Sequence, residues 1–288
     1  MKKLLAMLLI MGLITGSTLF AQDEKKEEPK YGWVNELVGA ANFTQTNLNN
    51  WKQGGEDSWV WQLDINGKFV NDQQKTNWAN AGKISYGRTK VGDGESQKSA
   101  DEIFAESVLT YKLGVLINPY VAVSGRSQLT SSFDFSASPK DEIAKFLNPG
   151  YFTESFGVGY QPSKEFKTRM GLAFKQTVTT DDSLALRYTD EDGLANGIDK
   201  LRSEVGLESV SDFERKIAEN ILFTSKLELF SNLKSADEID VRWDNLISAK
   251  VSKLINVSFN IQLFYDKDID IKRQLKEVLA VGLSYSFL

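Results

Sequence analysis

The chain has 288 residues, no Cys, no His and a formal net charge of −5. The missing thiols and imidazoles exclude disulfides, thiolate or imidazole metal centres and Ser-His or Cys-His catalytic couples, so no enzyme and no cofactor is expected. The mild charge and the scatter of basic residues argue against nucleic-acid binding.

Residues 1–21 read as a secretory signal peptide. Lys2 and Lys3 precede the apolar run Leu4 to Ile14, small residues Gly16 to Thr18 follow, and Asp23 to Glu28 end the segment. Cleavage is expected after Ala21, with 22–34 a periplasmic segment and 35–288 the folded domain. No later stretch approaches the ~18 apolar residues of a membrane-spanning helix.

From residue 35 onward, apolar and polar residues alternate with a period of two, the signature of strands with one greasy and one polar face. In 256–265, Val257, Phe259, Ile261, Leu263 and Tyr265 share a face, opposite Asn256, Ser258, Asn260 and Gln262; Phe264 breaks the rule. The pattern predicts strands over 35–48, 57–71, 76–89, 102–113, 119–133, 151–161, 166–178, 201–213, 219–231, 238–251, 255–266 and 272–288. Segment 201–213 also suits an amphipathic helix, through Leu201, Val205, Val210, Phe213 and Ile217. A strand is preferred because a helix there leaves an odd strand count.

Strands of this length, short connections alternating with long ones, and aromatics gathered near segment ends predict a transmembrane antiparallel up-and-down β-barrel. Its short turns would face the periplasm and its long loops the exterior. Phe43, Trp59, Trp61, Tyr86 and Tyr265 would form one aromatic girdle; Phe69, Tyr111, Tyr160, Phe213, Tyr285 and Phe287 would form the other. Within 134–150, Ser138 as N-cap and Pro139 at the first helical position predict a short helix. The loop carrying Asp181, Asp182, Asp190, Glu191 and Asp192 fits no calcium-loop spacing and reads as a solvated charged loop.

The end of the last strand, Val281, Leu283, Tyr285 and Phe287 followed by Leu288, resembles the signal read by the outer-membrane insertion machinery. Outer-membrane lipid and that machinery are therefore the expected partners. Phe43 to Ser58, with its Asn50-Trp51-Lys-Gln-Gly54-Gly55-Glu56 element, resembles a family of Bacteroidetes outer-membrane proteins carrying a domain of unknown function. Asn148 to Tyr160 and Trp243 to Val257 are similar to it as well. The resemblance implies an outer-membrane barrel and supplies no catalytic residues.

Two sets of residues are candidates for function. Lys167, Arg169, Lys175, Arg202, Glu204, Glu208, Lys226, Glu228, Asp240, Arg242, Asp244 and Lys250 fall on polar faces and would line the lumen. They either border an aqueous path for small polar solutes or pair with one another and plug a narrow barrel. Trp51, Gly54, Gly55 and Glu56 form an outer-loop candidate whose plainer reading is a tight turn. A channel is one expected role; a non-conducting docking or structural barrel acting through its outer loops is the other.

Overall fold

The computed structural model describes residues 31–50, 52–190, 197–235, 239–267 and 270–288. The expected signal peptide and most of the segment after it lie outside these residues, as does Trp51.

The chain forms a closed antiparallel barrel of β1 (Gly32–Thr46), β2 (Ser58–Asp72), β3 (Thr76–Val91), β4 (Gln97–Tyr111), β5 (Ile117–Ser127), β8 (Gly150–Tyr160), β9 (Phe166–Val178), β10 (Leu201–Ala218), β11 (Ile221–Asn232), β12 (Ile239–Lys250), β13 (Ile255–Asp266) and β14 (Asp270–Ser286). Neighbours in sequence are neighbours in the sheet, and β1 closes onto β14. The short β6 (Ser132–Asp134) and β7 (Asp141–Ala144) pair separately in the loop after β5. No helix among the described residues is long and apolar enough to cross a membrane; β-strands are not covered by that statement.

Segment 201–213 is a strand, and longer than its pattern suggested. β10 pairs in register with β9, Leu201↔Val178 to Phe213↔Phe166, and with β11 over Gly206↔Asn232 to Ala218↔Ile221. A strand between two strands satisfies backbone groups on both edges, and that outweighs local helical periodicity. β1 begins at Gly32 rather than 35, because Trp33 and Val34 pair with Asn71 and Val70. The expected long loop at 90–101 shrinks to 92–96: Thr89 pairs with Gln97, and Arg88 reaches the Ser96 hydroxyl and carbonyl.

The expected helix at Ser138 is absent, and the segment is part of the β6–β7 hairpin. Asp134 accepts hydrogen bonds from the Ser136 backbone and hydroxyl, which turns the chain before Ser138 can start a helix. A helix forms instead at α1 (Asp182–Tyr188), in the loop read as merely acidic. Asp181 is its N-cap, accepting from the Ser183 backbone, and Leu184 and Ala185 are buried beneath it.

The barrel is apolar outside and polar inside, the inverse of a soluble barrel. Leu63, Ile65, Phe156, Met170, Phe174, Leu207, Leu279 and Leu283 are all exposed on its outer wall. Outward indoles find partners on the neighbouring strand: Trp78 donates to the Ser107 hydroxyl and Trp243 to that of Ser225. Ring pairs sit near both ends. Trp33 lies 5.8 Å from Trp78 and Phe213 5.9 Å from Phe223 at the short-turn end, while Trp61 lies 5.7 Å from Tyr86 at the long-loop end. This outer wall is a surface that hydrocarbon solvates and water does not.

β8 and β9 approach so closely that Gly157 and Gly171 face each other, and a Cβ on either would collide with the backbone of the other strand. Gly171→Val is expected to destabilise the barrel by ~1–3 kcal/mol. Loss of the heat-resistant folded band on gels and a lower urea midpoint would record it.

Candidate functional site

Alternation aims the even-numbered residues of β4, β5 and β10 to β13, and the odd-numbered residues of β3 and β9, into the lumen. The inward charges meet in two clusters. In the larger one, Glu102 of β4 takes Arg242 at 2.6 Å, Lys83 at 2.8 Å and Arg126 at 3.2 Å. Arg126 also holds Glu228 at 3.3 Å, which in turn takes Lys226 at 3.2 Å. Lys226 reaches Glu106 at 3.2 Å, and Glu106 takes Arg169 at 2.6 Å, with Glu208 at 4.0 Å from the same guanidinium.

This belt crosses the barrel. β4 and β12 are six places apart in the closed ring whichever way it is counted, so the Glu102–Arg242 pair joins opposite walls. Phe104 stands between Glu102 and Glu106 with its ring 4.6 Å from the Arg126 guanidinium and 4.9 Å from the Lys226 ammonium. The ring supplies a face to two cations where water is scarce.

The second cluster lies nearer the long loops. Lys175 contacts Asp240 at 2.6 Å, Asp266 at 3.5 Å and Glu204 at 3.8 Å, and lies 5.2 Å from the Phe230 ring. Glu204 also takes Arg202 at 2.9 Å and accepts from Asn232 at 3.0 Å.

The remaining lumen candidates are peripheral to both clusters. Lys167 pairs with Asp212 at 3.6 Å and is half-exposed near the short turns. Asp244 accepts from Asn260 at 2.5 Å and Gln262 at 2.7 Å. Lys250 lines the wall and has no ion-pair partner among the described residues. Sequence reasoning missed Lys83, Glu102, Glu106 and Arg126 in the first half of the chain, and Asp266 in the second. The available signal was Phe104, an apolar residue on an otherwise acidic face, flanked two residues away on each side by Glu.

The belt does not fill the lumen. A cavity of about 1220 Å³ begins at Lys164, Glu165 and Lys253 by the short turns, passes Glu102, Arg126 and Arg242, and reaches Asp101, Gln128 and Pro149 below the β6–β7 loop. A smaller space of about 150 Å³ lies between the clusters, walled by Phe104, Tyr151, Phe230 and Phe264.

Of the outer-loop candidates, Gly54, Gly55 and Glu56 are described and lie in the loop between β1 and β2. Gly54 and Gly55 have φ of 81° and 109°, conformations that suit Gly. Glu56 is exposed, and the Leu48 backbone N–H donates to Asp57 at 2.8 Å, closing the loop. The structure brings none of Gly54, Gly55 and Glu56 to the lumen clusters.

The two long loops are tied together by Asn148, which is almost fully buried. Its amide oxygen accepts from the backbones of Thr180 and Asp181 at 2.6 and 2.9 Å, and its nitrogen donates to the Phe146 carbonyl at 2.9 Å. Lys145 adds an ion pair to Asp181 at 2.7 Å, and that bond together with the Ser183 hydroxyl holds the Asp181 carboxyl below the usual carboxylate range. Asp182 pairs with Lys200 at 2.6 Å.

Two outcomes test these arrangements. Glu102→Gln and Arg242→Gln are expected to be non-additive, with a coupling of ~1–3 kcal/mol in a double-mutant cycle of urea unfolding. Asn148→Ala should leave the barrel folded but cost about 1–3 kcal/mol locally by orphaning buried backbone donors. Faster trypsin cleavage within 128–149 and 179–200 would report it.

A family model described as a protein of unknown function (DUF3078) matches residues 43–133. That span holds the Asn50–Ser58 element and the belt residues Lys83, Glu102, Glu106 and Arg126; Asn148–Tyr160 and Trp243–Val257 fall outside it. No curated protein matches the sequence. Among solved structures, the chain is similar to the translocator domain of the autotransporter NalP from Neisseria meningitidis, at 12% identity, 99% of this chain, 95% of that chain and TM-score 0.39. It is also similar to the NanC porin, at 8% identity, 86% and 98% coverage and TM-score 0.41. The COG4313 outer membrane channel from Pseudomonas putida F1 matches at 10% identity, 92% and 98% coverage and TM-score 0.39.

Proposed function

We propose that this protein is an outer-membrane barrel that provides a narrow path for small polar or charged solutes. The observation that carries the reading is the continuous cavity of about 1220 Å³, which runs from the short-turn end past the ion-pair belt to the foot of the β6–β7 loop. Its wall is built from Gln62, Asp64, Lys83, Asn260 and similar groups that solvate a polar solute. The apolar outer wall supports the membrane address, and outer-membrane lipid and the insertion machinery are the partners that go with it.

The belt would set the size limit. Its charges neutralise one another across the lumen, which leaves the space beside them as the route and confers little net selectivity by sign. A second reading, a non-conducting docking barrel, draws on the outer cap: Asn148 locks two loops into one surface on which Phe133, Phe135 and Phe146 are exposed.

Purified protein in planar bilayers is expected to give small discrete conductance steps. Truncating the cross-lumen cations together, Arg126→Ala with Arg242→Ala, should enlarge those steps several-fold. Bilayers that stay sealed with both proteins would leave the docking reading in possession.

A further inference from the structure

The seam between β1 and β14 closes over a short stretch. Paired positions run only from Val38↔Ser286 to Asn42↔Gly282. β1 is paired with β2 along its whole length, Gly32↔Asp72 to Thr46↔Ser58, and β14 with β13 from Ile255↔Leu283 to Asp266↔Asp270. Beyond Asn42 and Gly282 both strands continue, yet they are not paired with each other.

Exposure agrees with the parting. Thr44, Thr46, Lys272, Gln274 and Lys276 face the lumen by alternation, and all are exposed. On the outward face, Ile271 at 78% and Leu279 at 72% are the most exposed large apolar residues among those described. The gap lies at the height of the apolar wall: Leu279 is level with Phe259 and Ile247, and Leu275 with Leu263 and Trp243.

Backbone groups left open at that depth need a polar partner, because hydrocarbon offers none. The large cavity supplies one, since Asn42, Lys276, Val278 and Ala280 line it directly behind the gap. Two charges mark the outer side. Arg273 and Glu277 point outward on either side of Leu275, and neither has an ion pair among the described residues. Outward charges within an apolar wall are costly unless a polar group meets them from outside.

We propose that the parted seam is a lateral portal by which an amphiphile passes between the outer leaflet and the lumen. Its charged or zwitterionic head would move past Arg273 and Glu277 to Asn42 and Lys276, with its chain against Phe43, Leu275 and Leu279. The proposal rests on the outer-membrane reading. A peptide strand added to the free edge would also satisfy its backbone, but would make no use of the polar cavity behind it.

The chain has no native thiol, so Thr44→Cys with Ala280→Cys gives a single pair, facing each other if the seam closes in its existing register. The probe is a lysophosphatidylcholine with a diazirine near its head group, in phosphatidylcholine vesicles. Wild type and the reduced variant should be labelled both on the outer wall and on lumen-facing residues of β1 and β14. Oxidation should abolish the lumen labelling and leave the outer-wall labelling unchanged. Lumen labelling that survives oxidation, or outer-wall labelling alone in wild type, overturns the portal. Loss of outer-wall labelling as well sinks the membrane reading with it. In wild type, those amides of 43–46 and 278–281 that point toward the seam, not toward β2 or β13, should exchange quickly; slow exchange of these together with a copurifying peptide overturns the portal in favour of strand addition.

Discussion

A strand crossing hydrocarbon can send its backbone N–H and C=O groups only to another strand, so the sheet must close on itself. Closure with twelve strands fixes the remaining problems of this molecule. Apolar side chains must point outward, which leaves polar ones to occupy the interior. A ring of this size is too wide for side chains from one wall to fill and narrow enough for long ones to meet across it. Arg and Lys from β3, β5, β9, β11 and β12 reach Glu from β4, β10 and β11, and side chains of the wall span the lumen.

The same geometry explains why the belt is a network rather than a set of pairs. An isolated charge in a partly dry lumen would bear a large desolvation cost, and one partner recovers only part of it. Glu102 answers this by serving three cations, and Phe104 by offering its ring to Arg126 and Lys226. Space beside the network keeps water within reach of its outer members, so the charges are neither fully buried nor fully free.

Much of this was legible in the sequence, and the exceptions have physical reasons. Period-two alternation located the barrel strands, since one slip would turn every side chain to the wrong face. It also assigned Arg169, Lys175, Glu228 and Arg242 to the interior. Alternation says which wall a residue points from and nothing about what stands opposite. Hence the pairing of Glu102 with Arg242, on opposite walls of the barrel, was out of reach. The loops failed for a different reason. Ser138-Pro139 and Asp181-Asp182 carry similar start signals, and the outcome turned on Asp134, which commits the first segment to a turn, and on burial for Leu184 and Ala185 in the second. Across the loop that carries the Asn50–Ser58 element, the Leu48 backbone N–H donates to Asp57, a closure that spacing alone does not reveal.

The clasp made by Asn148 changes how the long-loop end of this barrel would be met by another macromolecule. Loop 128–149 and the described part of 179–200 are tied at Asn148 and Asp181, so an antibody that recognises either in this conformation is expected to bind less well when the other is cut. The loop after β1, bridged by the Leu48–Asp57 bond, makes no direct hydrogen bond or ion pair to that unit among the described residues. It is therefore the place where a foreign tag could be displayed without disturbing the cap.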